Sequence, residues 1–407
     1  MRELIGKKLA AHPRAGAIGV GLAITALWPA VHKEGVHDPF IFGDVVLYHG
    51  WGRAMMDGLL PYADFIPDYS PGALPVFWLP ALKLGYITNF EWLMWACCVA
   101  AMALVGTTLA RAGAAPKRIY AAVAFVAAAP LALGPVSFFR FDLWPAVLTV
   151  AALAALVARR PRVAMATLAI GAAAKLYPVV LVPVALMYVR REHGMREAAS
   201  ALAVFAGVLA ATVVPFLVLA PEGLLETFTR QLDRPLQIES SGAGILIVAD
   251  QVGLYQAEVR QVLAWAITGS LPDGIATVST VLQSLSIAGV WLLYARGEGG
   301  AERLFAAAAA SVTAFVVFGK VLSPQFLLWL VVLVPLLAGR RGLIAVALFA
   351  LALVCTRFLF PTSYQDVIAL EPVSLVVPLR NAVLLVLFVV LVSALWERSP
   401  VGRKALQ

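Results

Sequence analysis

Residues 162–190 read RVAMATLAIGAAAKLYPVVLVPVALMYVR. A lysine and a Tyr-Pro pair interrupt an otherwise apolar run. Basic clusters flank it on both sides, RRPR at 159–162 and VRREHGMR at 189–196. Lys and Arg beside apolar runs stay on the cytoplasmic side of a membrane. A single crossing would place one of these clusters outside. Two short helices, 162–174 and 176–190, turning at Ala174–Lys175, keep both inside. Each half is shorter than the about 20 residues of an ordinary crossing. The run therefore reads as a pair of crossings with Lys175 near the outer face.

The rest of the chain extends this reading. Of 407 residues, 62% are hydrophobic and 13% charged, against roughly half apolar and about a quarter charged in a soluble domain. The apolar runs are long and continuous, not alternating, which predicts helices. Spans are expected at 15–31, 90–111, 117–135, 141–158, 162–174, 176–190, 197–220, 276–295, 302–318, 323–338, 342–360 and 374–396. The start MRELIGKKLAAHPR, the clusters RAGAAPKR (111–118), ARGEGGAER (295–303) and GRR (339–341), and the tail WERSPVGRK all fall inside. The same requirement makes 71–87 a juxtamembrane or partly inserted helix. The result is an all-α polytopic membrane protein, one domain over 1–407, with about twelve transmembrane helices and both termini cytoplasmic. The net charge of +8 belongs to these flanks and does not point to nucleic acid. Cys97, Cys98 and Cys355 lie inside expected helices and suggest neither a disulfide framework nor a metal knuckle. The first run lacks a small-residue cleavage site and reads as a membrane helix, not a signal peptide. No inverted repeat relates the two halves, which argues against a transporter.

Polarity gathers on the expected outer face: 32–89, GPVSFFRFD (134–142), the Lys175 tip, 221–275, GKVLSPQ and PTSYQDVIALEP (361–372). Within FGDVVLYHGWGRAMMDGLLPYADF (42–65), helical spacing aligns Asp44, Tyr48, Trp51 and Met55 on one face, with Arg53 opposite. Asp44 closely follows a span among large apolar neighbours, where low dielectric raises a carboxyl toward the range of a general base. Lys175, Lys320, Arg140 and Arg357 each put a cation at a membrane boundary, suited to holding a phosphate. The competing reading pairs some of them with Asp142, Asp366 or lipid phosphates. Tyr177 and Pro178 suggest a shaped turn beside Lys175. In 221–275, surface helices are expected, and Arg230 and Arg234 lie one turn apart if helical. His32, Glu34, His37 and Asp38 form a weak His/carboxylate cluster. There is no Asp-x-Asp pair, Walker loop or nucleophile elbow.

Several motifs occur in order: Gly43-Asp44 after the first span, Tyr48, Gly58-x-x-Pro61-Tyr62, Tyr69-Ser70-Pro71, then GAAAKLYPVVLVP and GKVLSPQF. Together they resemble the C-type glycosyltransferase superfamily, and more specifically glycosyltransferase family 87, the polyprenyl-phosphate-mannose-dependent group common in actinobacteria. Tyr69-Ser70-Pro71 departs from relatives, which often carry two prolines there. The resemblance implies the C-type fold and a lipid-phosphate sugar donor, with inverting transfer at the outer face. Asp44 matches the catalytic base. Tyr48, Asp57, Tyr62, Asp64, Asp68 and Tyr69 then become candidate substrate contacts. Lys175, Lys320, Arg140 and Arg357 become candidates for the donor phosphate, and Asp142, Tyr177, Gln325, Arg230 and Arg234 further outer-face candidates. No cofactor or metal is expected. The expected partners are the lipid-linked donor, a glycolipid or glycan acceptor and membrane lipids, with the protein a monomer in the plasma membrane. The rival readings are a lipid-linked-sugar flippase or transporter, and the same chemistry with a polyprenyl-phosphate arabinofuranose donor.

Overall fold

A computed structural model describes residues 13–28 and 44–396. The His32, Glu34, His37 and Asp38 cluster, the basic start and the basic tail lie outside the described residues.

The described chain is mostly helical, as hydrocarbon requires of lipid-exposed backbone. Six described helices are long and apolar enough to cross a membrane: Tyr86–Arg111, Pro116–Leu133, Met195–Leu219, Ser270–Arg296, Gly339–Thr362 and Pro372–Trp396. The other runs expected as spans form shorter or interrupted elements. Among them are Pro13–Thr25, Leu143–Val157, Pro161–Ala174 and Ala301–Val317. The run expected at 323–338 is not one helix. It is a helical turn at Leu327–Val331 between 3-10 turns at Pro324–Phe326 and Val334–Leu336, because Pro324 and Pro335 each remove a backbone donor.

The run 162–190 breaks where expected. The helix Pro161–Ala174 ends at Lys175, whose backbone is extended (φ −157°, ψ 141°). A 3-10 turn, Tyr177–Leu181, leads into the helix Val182–His193.

The chain forms two compact units. One comprises the chain up to Val182 with His193–Asp233; the other comprises Pro183–Glu192 with the chain from Arg234 onward. In the first, Pro161–Ala174 packs against Leu143–Val157 and Met195–Leu219, and Tyr86–Arg111 against Leu143–Val157 and Pro116–Leu133. In the second, Pro372–Trp396 packs against Ala301–Val317 and Gly339–Arg357. Ala306 through Ala310 are all buried; side chains this small let neighbouring helices approach closely.

The segment 221–275 departs from the expectation of surface helices alone. In addition to the helices Pro221–Leu232 and Ser241–Gln251, the segment forms a three-stranded antiparallel sheet, with Trp265–Ile267 between Leu236–Gln237 and Val259–Gln261. Ile267 pairs with both Leu236 and Val259 and joins a buried cluster with Ile238, Ile247, Leu359 and Val367. The fold is therefore not purely helical. Arg230 and Arg234 do not share a helix either. The helix ends at Leu232, and Arg234 precedes Pro235, which disfavours helical backbone at that position.

Candidate functional site

Asp44 opens the helix Asp44–Met56, where a carboxylate complements the positive end of the helix dipole. One turn on, Tyr48 is fully buried, and its hydroxyl donates to Asp44 Oδ2 at 3.4 Å. The Tyr48 ring stacks on Phe77 (4.5 Å, 24°) and meets Phe141 edge-on (5.9 Å, 89°). Burial, with smaller contributions from neighbouring Tyr69 and Asp142, raises the Tyr48 phenol well above its ordinary value. Tyr48 thus stays a hydrogen-bond donor. Trp51 and Met55 are half-buried on the same face and Arg53 is exposed, as the helical spacing predicts.

The second contribution comes from Arg140-Phe141-Asp142, between the short helix Val136–Phe139 and the helix Leu143–Val157. Arg140 pairs with Asp44 through Nη1 and Oδ2. Asp142 is fully buried and accepts from Lys175 Nζ at 2.7 Å. Lys175 also lies 4.9 Å from the Phe141 ring centroid and 5.3 Å from that of Tyr69, within the range of cation–π attraction. Three distant stretches therefore build one alternating row of charge, Asp44, Arg140, Asp142 and Lys175. Asp44 keeps 25% of its side chain exposed, Arg140 14% and Lys175 12%, while Asp142 is closed off. The Arg140 guanidinium favours the ionised form of the carboxylate beside it. Asp44 thus sits in an ion pair, and not in apolar surroundings alone as the sequence suggests.

The loop that carries Tyr69 is pinned from several directions. Tyr62 is buried, and its hydroxyl donates to the Tyr69 carbonyl at 2.7 Å. Asp64 Oδ2 accepts from the Leu60 N–H at 2.7 Å and closes a turn. Gly72 approaches the end of the helix Pro161–Ala174 so closely that a Cβ would lie 2.5 Å from the Ala174 nitrogen. Trp144 Nε1 donates to the Gly72 carbonyl at 3.3 Å. Asp68 lies 3.7 Å from Arg230, which also pairs with Glu226. Tyr177 is buried against Thr149, oxygen to oxygen 2.8 Å, and ties the Lys175 turn to the helix Leu143–Val157. The candidates of the first unit thus divide. Asp44, Tyr48, Tyr69, Arg140, Asp142 and Lys175 converge. Tyr62, Asp64 and Tyr177 buttress the site. Asp57 is exposed just past its helix.

In the second unit, Lys320 is half-buried and its carbonyl accepts from the Gln237 N–H at 3.0 Å. The Gln237 amide meets Ser323 Oγ at 3.1 Å, and Gln325 is buried. Arg357 is half-buried at the end of its helix. A polar group absent from the sequence expectations lies here too. Arg380 is fully buried, with Nη1 2.9 Å from Glu239 Oε2, Nη2 2.6 Å from the Glu239 carbonyl, and Nε 3.0 Å from Asn381 Oδ1. Its signal was in the sequence: Arg380-Asn381 interrupts the apolar run 376–390, and an ionisable residue inside such a run marks a paired site. Phe77 and Phe141, which wall the Tyr48 and Lys175 side chains, carried no such signal.

The family model for glycosyltransferase family 87 matches residues 65–324. That stretch includes Tyr69, Arg140, Asp142, Lys175 and Lys320, and begins after Asp44. No curated protein gives a significant match to the chain.

Proposed function

The chain belongs to glycosyltransferase family 87, and on that premise we propose that it moves mannose from a polyprenyl-phosphate donor to a hydroxyl of a glycolipid or glycan. In this reading transfer occurs at the outer face of the plasma membrane, with inversion, and Asp44 is the general base. One observation supports it most: a part-exposed carboxylate and two cations, drawn from three distant segments, form one row.

The chemistry follows from that row. The Asp44 carboxylate takes the proton of the acceptor hydroxyl as its oxygen attacks the anomeric carbon. The bond from that carbon to the donor phosphate oxygen breaks, and its electron pair leaves with the polyprenyl phosphate. The transition state carries oxocarbenium character. The phosphate leaves as a stable anion and needs cations, not a general acid; Arg140 and Lys175 supply them. Tyr48, kept protonated by burial, orients the base. Asp57 and Asp68 are proposed sugar contacts, Lys320 and Arg357 are kept as donor-phosphate candidates from their expected places at membrane boundaries, and Gln325 and Arg234 as further outer-face candidates. The same reading takes the protein as a cofactor-free monomer of the C-type fold, with about twelve crossings and cytoplasmic termini, supported by its basic flanks.

The test is transfer by the purified protein in lipid nanodiscs. Labelled polyprenyl-phosphate mannose and polyprenyl-phosphate arabinofuranose are supplied with candidate glycolipid acceptors. Mannose transfer is expected, and Asp44→Asn should reduce it by about 10²–10⁴-fold, the usual contribution of a general base. Equal transfer by the Asn variant would remove Asp44 from the role. Transfer from the arabinofuranose donor alone would change the donor, and movement of intact donor without transfer would make the protein a flippase.

A further inference from the structure

The helix Pro221–Leu232 has three facets. The first faces the protein. Gly223, Leu224 and Thr227 are buried, and a Cβ on Gly223 would lie 1.9 Å from the Tyr62 carbonyl oxygen. Thr227 Oγ1 donates to the Pro67 carbonyl at 2.8 Å. The second facet is charged, with Glu222, Glu226 and Arg230 at helical spacing and Arg230 tied to Glu226 and Asp68. The third is apolar and open: Leu225, Phe228 and Leu232, at i, i+3 and i+7, are 54%, 40% and 69% exposed.

What covers the third facet follows from the element before it. The helix Met195–Leu219 has only 6% of its apolar window buried inside the protein. Leu217, Val218 and Leu219, at its last turn, are exposed. That surface is made for lipid. The backbone breaks at Ala220 (φ −148°, ψ 59°) and restarts at Pro221, so the short helix with its apolar stripe follows in the chain directly after a lipid-facing end. A second protein copy fits less well. Stable protein interfaces bury roughly 1,200–2,000 Å², more than three side chains of one short helix supply.

We propose that the helix Pro221–Leu232 lies in the plane of the membrane, at the boundary between headgroups and acyl chains, with Leu225, Phe228 and Leu232 inserted into the lipid. Its charged facet then faces water, as in other interfacial amphipathic helices. The occupant of the stripe is the bilayer itself. Because the inward facet holds Tyr62 and Pro67, lipid seating of this helix also fixes the loop that carries Tyr69.

The test uses the full chain in phosphatidylcholine vesicles, independently of any enzymatic assay. Leu225→Cys, Phe228→Cys, Leu232→Cys and Glu222→Cys are made singly and labelled with a nitroxide. The parent chain, whose three cysteines are buried, is treated in parallel as the blank. Collision rates with oxygen and with a water-soluble nickel chelate are then compared. Oxygen should dominate at 225, 228 and 232, and the chelate at 222. Chelate dominance at the three apolar positions would place the stripe in water and overturn the proposal. Dipolar broadening that grows with protein density would put a second copy on it, and low access to both reagents would put another part of the chain there. Either result overturns the proposal too.

Discussion

Arg140 pairs with Asp44, and two residues further along the same strand of chain Asp142 accepts a hydrogen bond from Lys175 at 2.7 Å. A single tripeptide thus holds the proposed base on one side and a boundary cation on the other. The consequences are measurable.

Removing the guanidinium with Arg140→Ala should act on the base as well as on the phosphate. The ionised carboxylate loses a stabilising charge, so the proton affinity of Asp44 rises. The acid limb of a pH profile of kcat/KM should move to higher pH in the variant. A profile that only drops in height would limit Arg140 to the phosphate.

Lys175→Met leaves a fully buried carboxylate without the ammonium it accepts from. Breaking one side of a buried pair costs about 3–5 kcal/mol, whereas replacing both partners is often close to neutral. Thermal unfolding should therefore show Lys175→Met strongly destabilised and the Lys175→Met, Asp142→Asn double variant largely restored. Transfer should remain low in both, because the cation proposed for the donor phosphate is absent from each.

Tyr48→Phe keeps the ring stack on Phe77 and deletes a 3.4 Å hydrogen bond to Asp44. A bond this long lies at the weak end of those made to charged groups, so transfer should fall by no more than about tenfold. Stability measured by thermal unfolding should hardly change.

Gly72→Ala introduces a Cβ 2.5 Å from the Ala174 nitrogen and 2.6 Å from the Ala173 carbonyl carbon. Both are backbone atoms and have little room to yield. The cost should be about 1–3 kcal/mol, as for other overpacked sites. The Tyr69 loop should shift away from Lys175, seen as a raised donor KM at temperatures well below unfolding, where the variant remains folded.

Arg380→Met should destabilise the second unit by about 3–5 kcal/mol, and Arg380→Met with Glu239→Leu should recover most of that loss. A single variant as stable as the parent would show that the buried guanidinium contributes no more than its packing.

The sequence made some of this legible and hid the rest for physical reasons. Apolar run length identified the six long helices, while the other expected spans form shorter or interrupted elements that run length alone did not foresee. The break at Lys175 was visible because basic clusters at both ends of the run 162–190 demand a return, and a lone cation marks where it turns. The face of Asp44, Tyr48, Trp51 and Met55 followed from helical spacing. Ion pairing was another matter. The competing reading already named Asp142 as a partner for these cations, and Lys175 pairs with it; the pair of Arg140 with Asp44 joins stretches far apart in sequence and was not anticipated. Which acid meets which base depends on packing that no local pattern encodes. The sheet around Ile267 escaped notice because its strands are two or three residues long, too short for alternation to register. Arg380 stood in plain view, but its partner Glu239 sits in a segment that reads as a loop.

The helix Pro161–Ala174 has fourteen residues, which at 1.5 Å each make a rod of about 21 Å. The hydrocarbon core of a bilayer is about 30 Å thick, and any tilt shortens the vertical reach further. In the proposed orientation, with RRPR at one surface, the end of this helix falls about 9 Å short of the other. A polyprenyl-phosphate donor would then meet Lys175 below the headgroups, unless the bilayer thins to meet the short helix. On that reading, acyl-chain length would act on turnover through membrane thickness and not through any side chain.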